Sequence, residues 1–314
     1  MAIGIKDIAV YLPSGRESNL DLASRFDVTE DFLANKIGVV HRTTRSPGQE
    51  TSDMAFEALE QLLRQGKVVR DEIQVMIVVT QNPDSRLPHV SGLLHARAAL
   101  PKQCATFDLS LGCSGYVYGL SVLTSFMQAN GLEKGVLITC DPYSKIVDPE
   151  DKNTVLLFGD AATATLVGAD PVLVPASFDF GSQGDATGSL HERDGRLHMN
   201  GRDVFNFAAT VVPGSVTATL EKAGLDREDI DVYLFHQGSR YIVETLTKRL
   251  KLDSAKVRID INDTGNTVSS SIPLLLAKEL HNTIAQRILL CGFGVGLSWA
   301  SCICQRTEKT HGNH

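Results

Sequence analysis

Positive charge is in short supply. Lys and Arg number 30 against 37 Asp and Glu, which leaves a net charge of −7 and a pI near 5.7. No basic excess is available to neutralise a phosphate backbone, so a nucleic-acid partner is not expected. A charged-then-apolar leader is lacking as well, because Lys6, Asp7 and Arg16 interrupt the opening apolar residues. The six cysteines (Cys104, Cys113, Cys140, Cys291, Cys302 and Cys304) show neither paired metal-ligand spacing nor a secreted disulfide framework. No metal is expected, and a reducing cytoplasm fits. Leu109 to Leu132 has no Asp, Glu, Lys or Arg, yet its Gly, Ser, Thr, Gln and Asn keep it from being predominantly apolar. That excludes a membrane span and predicts a helix buried within the protein.

What is present is ordinary in bulk and repetitive in order. The 314 residues are 43% hydrophobic and 21% charged, a length that suits two domains or one domain duplicated. "AFEALEQLLRQGKVVRDEIQVMIVV" reads as amphipathic helix, acidic turn and buried strand; "SVTATLEKAGLDREDIDVYLFHQ" reads the same way. Their turn-to-strand segments, Asp71–Val78 and Glu228–Phe235, superimpose without a gap. Each copy then runs a strand into a small-residue turn and an uncharged helix, "ATFDLSLGCSG" in the first and "VRIDINDTGNTVSSSIPLLLA" in the second. Each closes on apolar strands, "KGVLITCDP" with "FGDAATATLVG" and then "QRILLCGFGVGLSWASCIC". Continuous apolar strands alternating with helices predict α/β layers with strands covered on both faces. All α/β chains are somewhat self-similar, but here both the element order and the acidic turn recur. The expected organisation is two α/β halves, residues 1–168 and 169–314.

Three residues at the ends of these strands carry chemistry. Cys113 stands where the first copy's strand meets its uncharged helix. Helix N-termini carry unpaired N–H groups and partial positive charge, which shifts a thiol toward the nucleophilic thiolate. Gly112, Ser114 and Gly115 leave room for a substrate, and the Cys113 N–H is placed to receive an oxyanion. An isolated cysteine is more often a small buried thiol; this context reverses that reading. His236 ends the strand "VYLF", beside Gly238 and Ser239, at a cleft rim, though alone it reads equally well as a satisfied polar residue. Asn266, at the matching point of the second copy, reads alone as a turn or helix cap. Asn does not titrate, but it can donate a hydrogen bond to a developing negative charge. Together the three suit a nucleophile that becomes acylated and two donors on a second carbonyl. Two donors on one carbonyl oxygen stabilise an enolate, which decarboxylation of a malonyl thioester generates. A hydrolase would need a base and a water, and no acid that orients His236 is evident.

At this point the chain resembles the β-ketoacyl-acyl-carrier-protein synthase III enzymes, condensing enzymes of the thiolase fold. The likeness runs from "IAVYLPSGRESN" to "GFGVGLSWASCI" and rests on "GCSGYVYGL", "DPEDKNTVLLFGDAATATLV", "HQ", "GNTVSSSIPL" and the terminal glycine loop, in that order. The resemblance implies a thiolase-like fold of two α/β halves in α-β-α-β-α layers, and a Cys113, His236, Asn266 triad. An acyl group would pass from acyl-CoA, a substrate and not a cofactor, to Cys113. Malonyl-acyl carrier protein would then lose CO₂ and attack the acyl-cysteine to give a 3-oxoacyl thioester. It further implies an oxyanion hole from the N–H groups of Cys113 and Val295, an aromatic Phe293 beside the nucleophile, and a homodimer.

Departures from the family pattern bear on the donor. Phe32 stands where a Trp stacks on adenine, and Lys36 and Lys152 replace Arg; Lys keeps charge but loses the planar fork that grips phosphate. Val295 replaces a glycine, and its side chain restricts the backbone angles open to that loop. Leu87 replaces a Phe that would reach into the partner's acyl pocket. Acyl carrier proteins are acidic, and the helix "SRYIVETLTKRLKLD" buries Ile242, Val243, Leu246 and Leu250 while exposing Arg240, Lys248, Arg249 and Lys251 as a docking face. Glu244 lies within pairing distance in sequence of Arg240 and Lys248, so part of that face can neutralise itself. Three alternatives stand beside this reading: a thiolase with Cys291 as second cysteine, an acyltransferase to an alcohol or amine, and a silent subunit of a heteromeric synthase. The tail "RTEKTHGNH" is polar and expected to be disordered, with His311 and His314 poor metal ligands.

Overall fold

Val75, Ile77 and Val79 pack with one group of buried side chains while Met76 and Val78, between them, pack with another. The second copy repeats the pattern: Val232 and Leu234 join the first group, Tyr233 and Phe235 a third. Side chains on a strand alternate faces, so each strand is covered on both sides, as its unbroken apolar run predicts.

The computed structural model describes residues 2–307, which leaves His311 and His314 outside the described residues. Nine strands form one mixed sheet: β1 (Ile3–Tyr11), β2 (Val75–Val79), β3 (Ala105–Leu109), β4 (Lys134–Cys140), β5 (Ala162–Ala169), β6 (Leu173–Ser182), β7 (Val232–Phe235), β8 (Arg287–Gly294) and β9 (Ser298–Arg306). Six helices cover it: α1 (Thr51–Arg64), α2 (Val90–Arg97), α3 (Gly115–Asn130), α4 (Gly201–Ala223), α5 (Arg240–Arg249) and α6 (Ser271–Glu279). The strand order is β7-β8-β9-β6-β1-β5-β4-β2-β3. β1 and β6 meet at the single pair Ile5–Leu173, and the order reads alike outward from that seam on either side. Two antiparallel pairings are followed by one parallel pairing in each direction: β1·β5, β5·β4 and β4·β2 on one side, β6·β9, β9·β8 and β8·β7 on the other.

The helices form three layers. Tyr116, Leu120 and Leu123 of α3 and Ile272, Leu275 and Leu276 of α6 share one cluster with strand residues from both sides of the seam. α1 and α2 cover the outer face of the first strand set, and α4 and α5 that of the second. A fully buried Leu, Ile or Val contributes roughly 1.5–3 kcal/mol, so this double-sided burial holds the strand ends in place. The uncharged stretch from Leu109 is therefore the last residue of β3, a turn and the central helix α3. Among the described residues no helix is long and apolar enough to cross a membrane.

One expected strand is absent. "VRIDI" runs beside β7 and forms the isolated parallel bridge Val257–Tyr233 without becoming a strand. Arg258 N–H donates to Tyr233 C=O, but the next donor along, Asp260 N–H, is taken by the Gln237 side chain. A side chain thus replaces the backbone acceptor that would have continued the ladder.

Candidate active site

Cys113 and His236 each follow one of the two edge strands of the sheet. β3 ends at Leu109, and the chain turns through Cys113 into α3, whose first residue is Gly115. β7 ends at Phe235 and delivers His236. The segment after "VRIDI" delivers Asn266, whose backbone N–H donates to Leu157 C=O and whose C=O accepts from Gly159 N–H. That contact explains the "LLFGD" stretch: it is the backbone track on which Asn266 rests.

Cys113, His236 and Asn266 line one cavity of about 390 Å³, together with Phe293 and Gly294. Phe32, Lys36 and Lys152 line it too, with Arg202, Phe205 and Tyr241. Phe205 and Tyr241 stack at 5.3 Å, and Lys36 Nζ lies 4.5 Å from the Tyr241 ring centre. Sequence reasoning missed Arg202, Phe205 and Tyr241, which no motif marks.

The expected thiolate is not what the resting site favours. Burial pushes the Cys113 thiol up to about 12, and the Asp141 carboxylate adds to the rise; N–H groups of Val295 and of Cys113 itself pull the other way. Desolvation outweighs the helix end, because α3 begins beyond Ser114 and the sulfur sits in apolar surroundings. The small residues also serve differently from expectation. A side chain on Gly112 would meet Gln81 Oε1 at 2.6 Å and Val295 Cγ1 at 2.7 Å, and one on Gly115 would meet Val79 at 2.4 Å. Those glycines let the protein close around the loop. Substrate room comes instead from Gly294, where an added Cβ would lie 2.8 Å from the Cys113 sulfur.

His236 is buried, its ring edge-on to Phe293 at 5.5 Å and 84°, and its Nδ1 lies 2.7 Å from Ser271 Oγ. No acid orients it; a serine hydroxyl at the start of α6 does, a role that the run "SSS" gave no way to assign. Burial lowers the His236 pKa from 6.5 to about 3, so the ring is neutral. The unfolded chain takes up this proton below about pH 6.5 while the folded chain refuses it, so stability present above 6.5 is lost as pH falls toward the folded value. His236→Gln is expected to melt with a shallower loss of Tm on acidification below pH 6.5 than the parent. Parallel Tm profiles would refute it.

Asn266 Oδ1 accepts the Val268 N–H at 2.9 Å, an Asx-type turn that leaves the amide NH₂ as the free end. Cys291 also lies away from the cavity, fully buried on β8 with its thiol pushed up by burial. It has no access to a substrate, which removes support for the thiolase alternative.

The peripheral residues divide. Leu87 is 86% exposed and does not line the cavity of its own chain. Ile242 is half-buried: it packs against the core beneath α5 and also lines the cavity. Arg240 departs most from the expected docking face: its Cβ packs on Gly38, its Nε is buried without a partner, and Glu244 lies 3.9 Å away. Lys248 and Arg249 are exposed, and Arg249 donates to Ala209 C=O.

Comparison with known proteins identifies the family. The 3-oxoacyl-[acyl-carrier-protein (ACP)] synthase III family model matches residues 107–184, and the model of that family's C-terminal part matches residues 220–306. The chain is 34% identical over 304 residues to a β-ketoacyl-[acyl-carrier-protein] synthase III of Halalkalibacterium halodurans, covering 95% of this chain and 96% of the relative. The chain belongs to the β-ketoacyl-acyl-carrier-protein synthase III family. A synthase III of Bacillus anthracis is 35% identical over 308 residues, 96% of this chain and 98% of that one. A 2.1 Å crystal structure of a 3-oxoacyl-(acyl-carrier-protein) synthase III superimposes with a TM-score of 0.92 at 34% identity, covering 97% of this chain and all of that one. As a synthase III family member the protein has the thiolase-like fold and is an acyltransferase of the condensing type. The alcohol- or amine-acylating and silent-subunit alternatives are not favoured.

Proposed function

We propose that the protein joins an acyl group, held as a thioester on Cys113, to the two-carbon unit left when malonyl-acyl carrier protein loses CO₂. The observation that carries this is the convergence of Cys113, His236 and Asn266 on one largely apolar cavity. In the first half-reaction the Cys113 sulfur attacks the carbonyl of acyl-CoA. The N–H groups of Cys113 and Val295, already directed at the sulfur, receive the oxyanion. The thiol proton leaves with the departing CoA sulfur, so the step is neutral in protons. In the second, Ser271 O–H donates to His236 Nδ1, keeping the ring proton on Nε2 as a donor. His236 Nε2–H and Asn266 NH₂ hold the malonyl thioester oxygen as CO₂ departs. The enolate carbon then attacks the acyl-cysteine, the Cys113 sulfur leaves as thiolate and takes one proton from solvent, and a 3-oxoacyl-carrier product results.

The names of the relatives support acyl carrier protein as a partner. Lys36, Lys152 and Arg202 around the cavity suit the phosphates of CoA or of a carrier's prosthetic arm, and Phe32 offers its ring for stacking. Lys248 and Arg249 on α5 suit an acidic carrier, with Arg240 the weaker member because it is packed and paired. Six free, buried cysteines suit a reducing cytoplasm. The repeated strand order suits two repeats of one α/β unit, residues 1–168 and 169–314.

A homodimer completes this reading. β3 is an edge strand that pairs only with β2, and Leu87 stands out from the surface, placed to enter a neighbouring chain. Sedimentation is expected to give twice the 34.0 kDa chain mass; a species of single mass at micromolar concentration would remove Leu87 from the acyl site.

Intact-protein mass spectrometry tests the reaction. An acyl-CoA panel should load one acyl group, and malonyl-acyl carrier protein should then discharge it as a 3-oxoacyl product. An adduct that persists after the malonyl carrier is added would overturn the condensing mechanism. Loading from acyl-carrier protein alone would assign the donor to the carrier instead of CoA.

A further inference from the structure

Asp141 is fully buried, and the reaction as derived gives it no part. It follows the last residue of β4. Its Oδ1 accepts the Gln81 N–H at 2.7 Å and the Thr80 hydroxyl at 3.3 Å, both just past the end of β2. Its Oδ2 accepts the hydroxyl of Ser269, and the Ser269 N–H is directed at it too. These partners are all neutral. A buried carboxylate without a cation is costly, so what it secures needs explaining.

Ser269 belongs to the turn that carries Asn266. Val268, between them, holds φ at +53° although its side chain is branched at Cβ and fully buried. Such a residue persists in the left-handed region only where its surroundings over-determine it. On one side of Val268 the fastening is its own N–H to Asn266 Oδ1; on the other it is Ser269 to Asp141. The first of these fixes which end of the Asn266 amide is free.

The sheet supplies an independent reason to read this contact as functional. Gly135 pairs with Val75 in β4·β2 as Ile288 pairs with Val232 in β8·β7. Counting the same distance onward along β4 and β8 brings Asp141 into register with Gly294. Gly294 lies against Cys113, in the turn of the opposite strand set, and Asp141 lies against the Asn266 turn, also opposite its own set. Each set thus shapes the other's reacting turn from one equivalent position.

We propose that Asp141 is a positioning residue for the second half-reaction: through Ser269 its carboxylate holds the turn that aims Asn266. The proposal rests on the reading of Asn266 as a donor to the malonyl thioester. A carboxylate suits the task because two acceptor oxygens can take donors from the β2 end and from the turn at once; an amide would oppose one of them with its own N–H.

The test separates the half-reactions in the full-length protein. Ser269→Ala removes the tie with a minimal change in volume and leaves the Asp141 charge in place. CO₂ release from malonyl-acyl carrier protein is expected to fall ~10- to 100-fold, the scale of a misplaced reacting group, while Cys113 acylation by acyl-CoA keeps its parental rate. Ser269→Thr, which retains the hydroxyl, should restore CO₂ release, and Asp141→Asn should lower it without slowing Cys113 acylation, because losing the carboxylate also relieves its upward push on the thiol. Equal losses in both half-reactions, undiminished CO₂ release in Ser269→Ala, or failure of the Thr rescue would each overturn the proposal. Asn266→Ala is measured alongside. If it impairs CO₂ release while Ser269→Ala does not, the Asp141 tie alone is wrong. If Asn266→Ala itself releases CO₂ normally, the reading of Asn266 fails and the proposal with it.

Discussion

Cys113→Ala is expected to accept no acyl group from any thioester and to lose condensation by ~10⁴- to 10⁶-fold, the scale seen when a covalent nucleophile is removed. No other thiol can take over. Cys104, Cys140, Cys291, Cys302 and Cys304 are all buried, and none of them lines the cavity. The resting Cys113 thiol is itself poorly ionised, with its pKa pushed up to about 12. Loading therefore depends on contacts made as the thioester arrives, chiefly the two N–H groups that face the sulfur. Intact mass after incubation with acyl-CoA reads the loss directly. The same variant should still release CO₂ from malonyl-acyl carrier protein, because the proposed mechanism assigns that chemistry to His236 and Asn266. An adduct on Cys113→Ala would mean that a different residue is the nucleophile.

The parts of the fold that the sequence made legible were those set by hydrophobic patterning. Buried strands such as "VMIVV" and "VYLF" announced themselves because burial on both faces leaves no polar position. The repeat in element order reappears as the matching strand order either side of the Ile5–Leu173 seam. The segment "VRIDI" misled because its alternation is real, while the acceptor that would have extended the ladder is replaced by a side chain from Gln237. At the site, Cys113 and His236 were legible as polar residues after apolar strands, and Asn266 as an amide in a glycine turn before an uncharged helix. The ionisation of Cys113 was not, because it depends on how much apolar surface closes over the sulfur. Ser271, Ser269 and Asp141 were hidden for a related reason. A serine among serines and an aspartate before a proline acquire roles only through partners more than a hundred residues away in two of the three cases.

Asn266→Ala and His236→Ala should fail in the opposite half of the reaction from Cys113→Ala. Each is expected to lower CO₂ release and condensation by ~10²- to 10³-fold, about 2.7–4 kcal/mol, as for the loss of one donor to an oxyanion. Both should still load Cys113 at close to the parental rate, since the loading oxyanion is held by backbone N–H groups. The donor count also limits the double variant. Two donors on a single oxygen share one developing charge, so removing both should cost less than the product of the separate losses. His236→Gln, which keeps a neutral N–H donor, should recover part of the rate lost in His236→Ala, because burial already holds the native ring neutral. If His236 acted instead as a base, Gln would recover nothing, and the rate of the parent would fall as the ring is protonated. Acylation and CO₂ release, measured separately on these variants, thus decide between a pair of donors and an acid–base residue.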